Sequence, residues 1–197
     1  MADADRERWN GRYTDRYTQR DYTFRPSSWL LEIEGQLRPS RPDARALDLA
    51  CGGGRNAVWL AERRWIVDAW DLSDVGLAIL SRELDERAAR GAPIEVYPQQ
   101  LDLDEATVPQ AVYDLVLNIM FLDRRLWPSL AASLQPGGLL AFQTFVDAPG
   151  GRTSEVSPEH LLQPGELRAS FEELGLETVR YDEHGERLTA RLLARKP

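Results

Sequence analysis

A glycine-rich turn and the aspartates around it are the strongest candidates in this sequence for binding a ligand. The turn, Cys51–Gly54, follows a short apolar stretch and precedes a helix-forming one. Glycines there let the backbone turn sharply and let a ligand approach without meeting a Cβ, and the helix that follows begins with free N–H groups. The turn therefore predicts a binding loop for a small ligand.

Two ligand classes fit such a loop. The spacing of Gly52, Gly54 and Ala57 matches the dinucleotide fingerprint, which alone is a weak signal. Asp48, inside the strand before the turn, favours another ligand, because a carboxylate there would repel two phosphates and attract the ammonium and sulfonium of S-adenosylmethionine. A nicotinamide-dependent oxidoreductase remains the alternative, disfavoured by Asp48 and by the short chain beyond the predicted sheet.

Two further aspartates end the next two predicted strands. Asp71 is placed to accept hydrogen bonds from ribose hydroxyls, and Asp102 from an adenine amino group, with Leu103 packed on the base. Each acid also has a structural interpretation: Asp48 could cap the turn, and Asp71 could cap the next helix together with Ser73. Acids at the carboxyl ends of three successive strands favour the binding interpretation.

The elements that must position these residues alternate between strand and helix. Strands are predicted at 44–49, 65–70, 94–99, 113–118, 139–145, 177–181 and 187–195. Helices are predicted at 3–20, 27–37, 54–63, 75–89, 125–134 and 164–174, with a loop at 147–158 and a hairpin-like turn at 182–186. This alternation predicts an α/β fold, a parallel sheet covered on both faces. We expect one domain, with 1–40 as a helical cap over the active site and 44–197 as a Rossmann-like core.

Composition narrows the class of protein. The formal charge is −8 over 197 residues, with no long basic run, which disfavours a nucleic-acid substrate. The chain has no apolar stretch long enough to span a membrane and no secretory h-region at its start. The single cysteine, Cys51, excludes an internal disulfide and fits a reducing compartment. We therefore expect a cytoplasmic protein, monomeric or homodimeric, that acts on a small molecule and carries no metal.

Several segments together resemble the class I S-adenosylmethionine-dependent methyltransferases, and more closely their TehB-like (tellurite-resistance methyltransferase) branch. The stretches that carry the resemblance are 46–57, 67–71, 102–103, 113–116, 134–140, 161–167 and 192–196. The glycine loop and the Pro136-Gly137-Gly138 element are specific to the superfamily. The His-Arg pair that TehB proteins carry near the penultimate strand is not evident here, and the N-terminal region differs, so tellurite is not carried over as substrate.

The resemblance implies a Rossmann-like three-layer sandwich whose seven-stranded, mostly parallel sheet has the order 3-2-1-4-5-7-6, with the last strand antiparallel. It also implies S-adenosylmethionine as cofactor. The residues expected to bind it are Asp48, Ala50, Cys51, Gly52, Gly54, Asn56, Asp71, Leu72, Asp102, Leu103 and Asn118.

Methyl transfer from a sulfonium is an in-line displacement, so the protein mainly aligns the reactants and excludes water. The residues expected to wall the acceptor pocket are Tyr13, Tyr17, Trp29 and Phe121. Asp123, Arg124 and Arg125 would lie at its mouth, or simply begin a solvated helix. No residue is assigned as catalytic base, because His160 and His184 are expected at the surface. A cofactor-binding protein without catalysis is the third interpretation.

Overall fold

The fold is built around a sheet of seven strands in the order β3-β2-β1-β4-β5-β7-β6. The computed structural model describes residues 2–18, 22–147, 156–184 and 189–197. The strands are β1 (Arg45–Leu49), β2 (Ile66–Asp71), β3 (Val96–Gln100), β4 (Tyr113–Ile119), β5 (Leu134–Phe145), β6 (Glu177–His184) and β7 (Thr189–Arg195). β7 runs antiparallel to β5 and β6, whereas β1–β2, β2–β3 and β4–β5 are parallel pairs. The predicted fold class and strand order are confirmed.

Helices alternate with these strands. They are α1 (Ala2–Thr18), α2 (Ser28–Glu32), α3 (Arg55–Ala61), α4 (Asp74–Ala89), α5 (Trp127–Ser133) and α6 (Glu166–Glu173). Short 3₁₀ turns occupy Glu34–Gln36, Arg124–Leu126 and Pro158–His160. The helix predicted at 27–37 is therefore interrupted after α2, where Gly35, a poor helix former, falls in a 3₁₀ turn. Among the described residues, no helix is long and apolar enough to cross a membrane.

The chain divides into two compact units, of which the first is Met1–Thr107. Its strands β1 and β2 are buried almost throughout, as expected where both faces of a parallel sheet are covered. Asp68 on β2 is buried and accepts two hydrogen bonds from Arg45 on β1, at 2.9 and 2.8 Å. The other buried acids of these two strands are Asp48 and Asp71.

α4 begins with a side-chain cap. The Ser73 hydroxyl accepts a hydrogen bond from the Gly76 N–H at 3.0 Å, as is typical of a serine at this position. Asn10 of α1 reaches the same place: its amide oxygen accepts from the Ser73 hydroxyl at 2.6 Å, and its Nδ2 donates to Asp74 at 2.6 Å. The N-terminal helix is thus anchored on the first turn of α4.

The second unit is Val108–Pro197. Its core includes an aromatic cluster of Trp127, Phe142 and Phe171, whose ring centroids lie 5.4 to 6.2 Å apart. β5 starts at Leu134, directly after α5, so the prediction that this strand begins at 139 is wrong. The reason is that Gly137 N–H donates to Lys196 O and Lys196 N–H donates to Gly138 O, which extends the ladder.

Two C-terminal predictions also need correction. Asp182–His184, expected in a turn, belong to β6, where Asp182 is in register with Arg191 of β7. The rest of that predicted turn, and most of the predicted loop at 147–158, lie outside the described residues. α6 starts two residues after Pro164, because Gly165 has a φ of 78° and donates its N–H to Glu183 at 2.6 Å.

Candidate functional site

The glycine loop is a sharp turn in which residues with left-handed backbone conformation lie on both sides of Cys51. Ala50, Gly52 and Gly54 have φ values of 54°, 58° and 76°. The Cys51 N–H donates to Trp70 O at 2.9 Å, and the Gly54 N–H donates to Cys51 O at 3.0 Å. Ala50 is the exception to the rule that glycine takes this conformation, and such strain clusters at functional sites.

Asp71 braces this loop from the end of β2. Its Oδ2 accepts from the Gly52 N–H and its Oδ1 from the Ser73 N–H, both at 2.7 Å. Burial raises the pKa of the Asp71 carboxyl, and backbone hydrogen bonds from Ser73, Gly52 and Leu72 act in the opposite direction. The sequence predicted a ribose acceptor here; the structure adds that the same carboxylate fixes the position of Gly52. A carboxylate has about four acceptor positions, so Asp71 can still accept from a ligand hydroxyl.

Asp48 is the most buried carboxylate of the loop region, with 1% of its surface exposed. Desolvation is the main cause that raises its pKa to about 7; the nearby Asp71 charge acts in the same direction, and a backbone hydrogen bond from Ala57 opposes it. Its Oδ2 is buried and has no hydrogen-bond partner among the described residues. A buried, incompletely satisfied carboxylate is costly for the free protein and fits a cationic ligand group.

The predicted adenine-side residues lie at the ends of β2 and β3. Leu72 is half-buried and its carbonyl accepts from Gln100 at 3.2 Å. Asp102 is half-buried and its Oδ1 accepts from the Asp104 N–H at 3.0 Å, whereas Leu103 is buried. One oxygen of Asp102 therefore shapes the local turn.

Other predicted residues of the first unit are largely committed to structure. Asn56 is buried and its Oδ1 accepts from the Ser27 N–H at 3.0 Å, which ties the segment before α2 to α3. Cys51 is buried. Its burial is the main cause that raises the pKa of its thiol, and the charges of Asp48 and Asp71 add to this effect. Trp29, predicted for the acceptor pocket, is fully buried. Tyr17, predicted for the same pocket, is 41% exposed and bonded to Arg82.

Tyr13 and Tyr22 lie directly against the glycine loop. A Cβ built on Gly52 would stand 1.9 Å from the Tyr13 hydroxyl, and one built on Gly53 would stand 2.2 Å from the Tyr22 hydroxyl. Tyr13 was predicted for the acceptor pocket, but Tyr22 was not singled out. Tyr22 follows α1 in the chain, so the helical spacing within α1 does not link the two tyrosines.

The second unit places Asn118 at the end of β4. The residue is fully buried, its Nδ2 donates to Phe121 O at 2.8 Å, and its Oδ1 has no partner among the described residues. Phe121 is half-buried in the loop that follows. An open, buried amide oxygen is a suitable acceptor for a ligand N–H or O–H.

The three charged residues after β4, Asp123, Arg124 and Arg125, form ion pairs. Burial raises the pKa of the Asp123 carboxyl, but hydrogen bonds from the side chain and backbone of Arg125 outweigh it and leave that pKa below its usual value. Arg124 pairs with Glu166 and donates to Leu161 O at 2.8 Å. Asp123 is the cap of a 3₁₀ turn, so the trio begins a helical segment, as one of the two interpretations held.

The strand order, the strained glycine loop after β1 and the acid at the end of β2 are those of the S-adenosylmethionine-dependent methyltransferases. The family model described as "Tellurite resistance protein TehB" matches residues 14–190. The chain belongs to this family, and the predictions of a methyltransferase and of S-adenosylmethionine as cofactor are confirmed at that level.

Individual relatives also carry the names of methyltransferases. A "Ubiquinone biosynthesis O-methyltransferase" of Bordetella avium is 26% identical over 170 residues, which cover 76% of this chain and 67% of the relative. A "Probable S-adenosyl-L-methionine-dependent methyltransferase TehB" of Haemophilus influenzae is 31% identical over 94 residues, 46% of this chain and 31% of that protein. The chain thus spans about a third of this TehB relative's length.

Solved structures show the same fold. TehB from Haemophilus influenzae superposes with a TM-score of 0.72 at 21% identity, covering 92% of this chain and 66% of that one. The [4+2]-cyclase SpnF superposes with a TM-score of 0.68 at 19% identity, covering 85% of this chain and 80% of that one. At these identities the likeness concerns the fold alone.

Proposed function

We propose that this chain transfers a methyl group from S-adenosylmethionine to a small-molecule acceptor by in-line displacement. The observation that carries the proposal is the buried Asp48 carboxylate, whose Oδ2 is open beside a glycine loop. A nucleotide phosphate would be repelled there, whereas an ammonium group would be stabilised. The residues present therefore fit the cofactor of the family.

The division of roles follows from the contacts. Asp48 would hold the ammonium group, and Asp71, already fixed by two backbone N–H donors, would accept from the ribose hydroxyls. Leu72, Asp102 and Leu103 would surround the adenine. When bound, the cofactor supplies a methyl group activated by its sulfonium; the chain supplies alignment and a dry environment.

A small acceptor is favoured by charge and by relatives. The formal charge of −8 opposes a polyanionic substrate. The Bordetella relative carries the name of an O-methyltransferase of ubiquinone biosynthesis, which points to small-molecule chemistry. His160 lies exposed in a 3₁₀ turn and is not assigned as a base. We propose that the chain aligns an acceptor without supplying a histidine base.

Calorimetry tests the cofactor. S-adenosylhomocysteine should bind to the full chain and NAD should not; the reverse result would sink the proposal. Asp48→Asn should weaken S-adenosylhomocysteine binding by about tenfold or more, since a charge-assisted contact is lost. Asp68→Asn is the matched control: it removes another buried acid, on the neighbouring strand, and should lower stability without lowering affinity.

Activity is a separate measurement. Labelled methyl transfer should be found with a panel of small thiols, phenols and amines, and should be absent with transfer RNA and duplex DNA. Transfer to nucleic acid alone would overturn the small-molecule proposal. Tight cofactor binding with no transfer to any acceptor would instead favour a cofactor-binding protein without methyl transfer.

A further inference from the structure

We propose that Tyr13 and Tyr22 form the carboxylate-binding half of the cofactor site, so that the N-terminal region binds the amino-acid end of the cofactor. This inference rests on the proposed function and deepens it. The two hydroxyls lie against adjacent glycines, Gly52 and Gly53, at the distances given above. They come from separate stretches of the N-terminal region and meet at the loop. They lie close enough for Tyr22 to affect the pKa of Tyr13.

Both hydroxyls are suited to donate. Burial raises the pKa of Tyr13 and the pKa of Tyr22 above the ordinary tyrosine value, so both stay protonated at neutral pH. The Tyr22 oxygen accepts a hydrogen bond from the backbone N–H of Arg55, which leaves its own O–H to donate. A carboxylate placed between the two would receive charge-assisted hydrogen bonds, which are about twice as strong as neutral ones.

Together with the tyrosines, the nearby acids would make a site for a ligand that carries both a positive and a negative group. Tyr22 lies within electrostatic range of Asp48, and Tyr13 within range of Asp71. Asp48 offers its open oxygen to a cation, and the tyrosines offer neutral donors to an anion. This arrangement matches the ammonium and carboxylate of an α-amino acid. It predicts discrimination against an otherwise identical ligand that lacks the carboxylate.

Asn10 positions Tyr13. It lies one helical turn before Tyr13 on α1, and its amide is clamped between the Ser73 hydroxyl and Asp74 at 2.6 Å each. Ser73 in turn donates its N–H to Asp71 at 2.7 Å. The helix that carries Tyr13 is therefore anchored on the same turn that fixes the predicted ribose acceptor. Asn10 touches no part of the predicted ligand and acts through Tyr13.

The test compares two ligands on the full chain by calorimetry: S-adenosylhomocysteine and its decarboxylated analogue. Tyr13→Phe and Tyr22→Phe should each weaken S-adenosylhomocysteine binding about tenfold and change binding of the analogue less than about twofold. Equal losses for both ligands would overturn the inference, because a merely structural role would not distinguish them. Unchanged or tighter binding of S-adenosylhomocysteine would overturn it too, since the hydroxyls would then only cover the loop.

Two further variants separate position from packing. Tyr17→Phe is the matched control, because its hydroxyl lies on the same helix but is bonded to Arg82; it should change neither affinity. Asn10→Ala should reproduce the selective loss of S-adenosylhomocysteine binding, and a loss common to both ligands would deny it a positioning role. If neither ligand binds the unmodified chain, the proposed function fails and this inference fails with it; equal losses overturn the inference alone.

Discussion

At the scale of single residues, the loop region holds two acids in different states. Asp71 is satisfied by two backbone donors, whereas Asp48 keeps an open, buried oxygen. A cost of this kind persists in a fold when a ligand removes it. If Asp48 holds the ammonium group as proposed, it destabilises the free chain and stabilises the complex.

We expect Asp48 to make cofactor binding depend on pH. With its pKa raised to about 7, the carboxyl is mostly protonated at pH 6, and a cationic ligand needs it ionised. Affinity for S-adenosylhomocysteine should therefore rise between pH 5.5 and 7 with release of a proton, and then level off. Calorimetry in buffers of different ionisation enthalpy measures the released proton. In Asp48→Asn the release should vanish; persistence of it would assign the proton to another group.

Asp71→Ala should have two effects. Loss of ribose contacts should weaken cofactor binding by about 2 kcal/mol, or roughly thirtyfold. The N–H groups of Gly52 and Ser73 would also lose their acceptor in a buried place, so thermal stability should fall. Calorimetry and thermal unfolding measure the two together. Asp104→Asn, at an exposed position after Asp102, should change neither, and intact affinity in Asp71→Ala would remove Asp71 from the site.

At the scale of elements, the close fit between α1 and the glycine loop can be tested by adding a methyl group. Gly52→Ala would place a Cβ 1.9 Å from the Tyr13 hydroxyl, at a φ of 58° that alanine disfavours. We expect lower stability, by about 1 to 2 kcal/mol from the backbone alone, and weaker cofactor binding. Thermal unfolding and calorimetry with S-adenosylhomocysteine provide the readouts.

Gly11→Ala is the control for that substitution. Gly11 lies in α1, and a Cβ there would meet no atom within 4 Å. Alanine should stabilise the helix by up to about 1 kcal/mol and leave the affinity unchanged. If Gly52→Ala behaved like Gly11→Ala, the contact between Tyr13 and the loop would have no energetic weight.

The elements also show how far sequence reasoning reaches. β1, β2 and β4 are mainly apolar segments bounded by turn residues, and such local signals place them within a residue or two. The early start of β5 depends on pairing with Lys196 near the chain's end, and the extension of β6 depends on its register with β7. Long-range pairing of this kind leaves no local pattern. The order of the strands came from the family resemblance rather than from periodicity.

The same limit applies to the candidate site. Asp48 could be singled out because it is a charged residue in an apolar strand just before a glycine turn, and Asp71 because it ends the next strand. Tyr22 could not, because its contact with Gly53 depends on how the chain returns after α1. Tyr13 and Tyr17 share helical spacing, yet one lies on the loop and the other is exposed. Helical spacing predicts which residues share one face of a helix. Which turn of that face contacts the glycine loop depends on how the helix packs, and the spacing does not predict that.

At the scale of the whole molecule, we expect the titration of Asp48 to affect both folding stability and cofactor binding. Its pKa is raised in the folded state, so the native chain holds a proton that the unfolded chain has released between pH 4 and 7. The contribution of this group to stability is fully present below about pH 4 and is lost as pH rises to about 7. The loss is on the order of 4 kcal/mol for the shift to about 7.

A bound cation should reverse this loss, since it keeps the ionised carboxylate favourable. The thermal shift caused by S-adenosylhomocysteine should therefore grow from pH 5.5 to pH 7. At a hundred times the dissociation constant a ligand adds about 2.7 kcal/mol, which corresponds to roughly 5 to 10 °C for a chain of this size. Scanning fluorimetry of the unmodified chain and Asp48→Asn, at matched ligand concentration, measures this. The variant should melt higher than the unmodified chain when both are free at pH 7, and should show a small shift that does not vary with pH. A large, equally pH-dependent shift in the variant would mean that the acid which couples folding to the ligand is not Asp48.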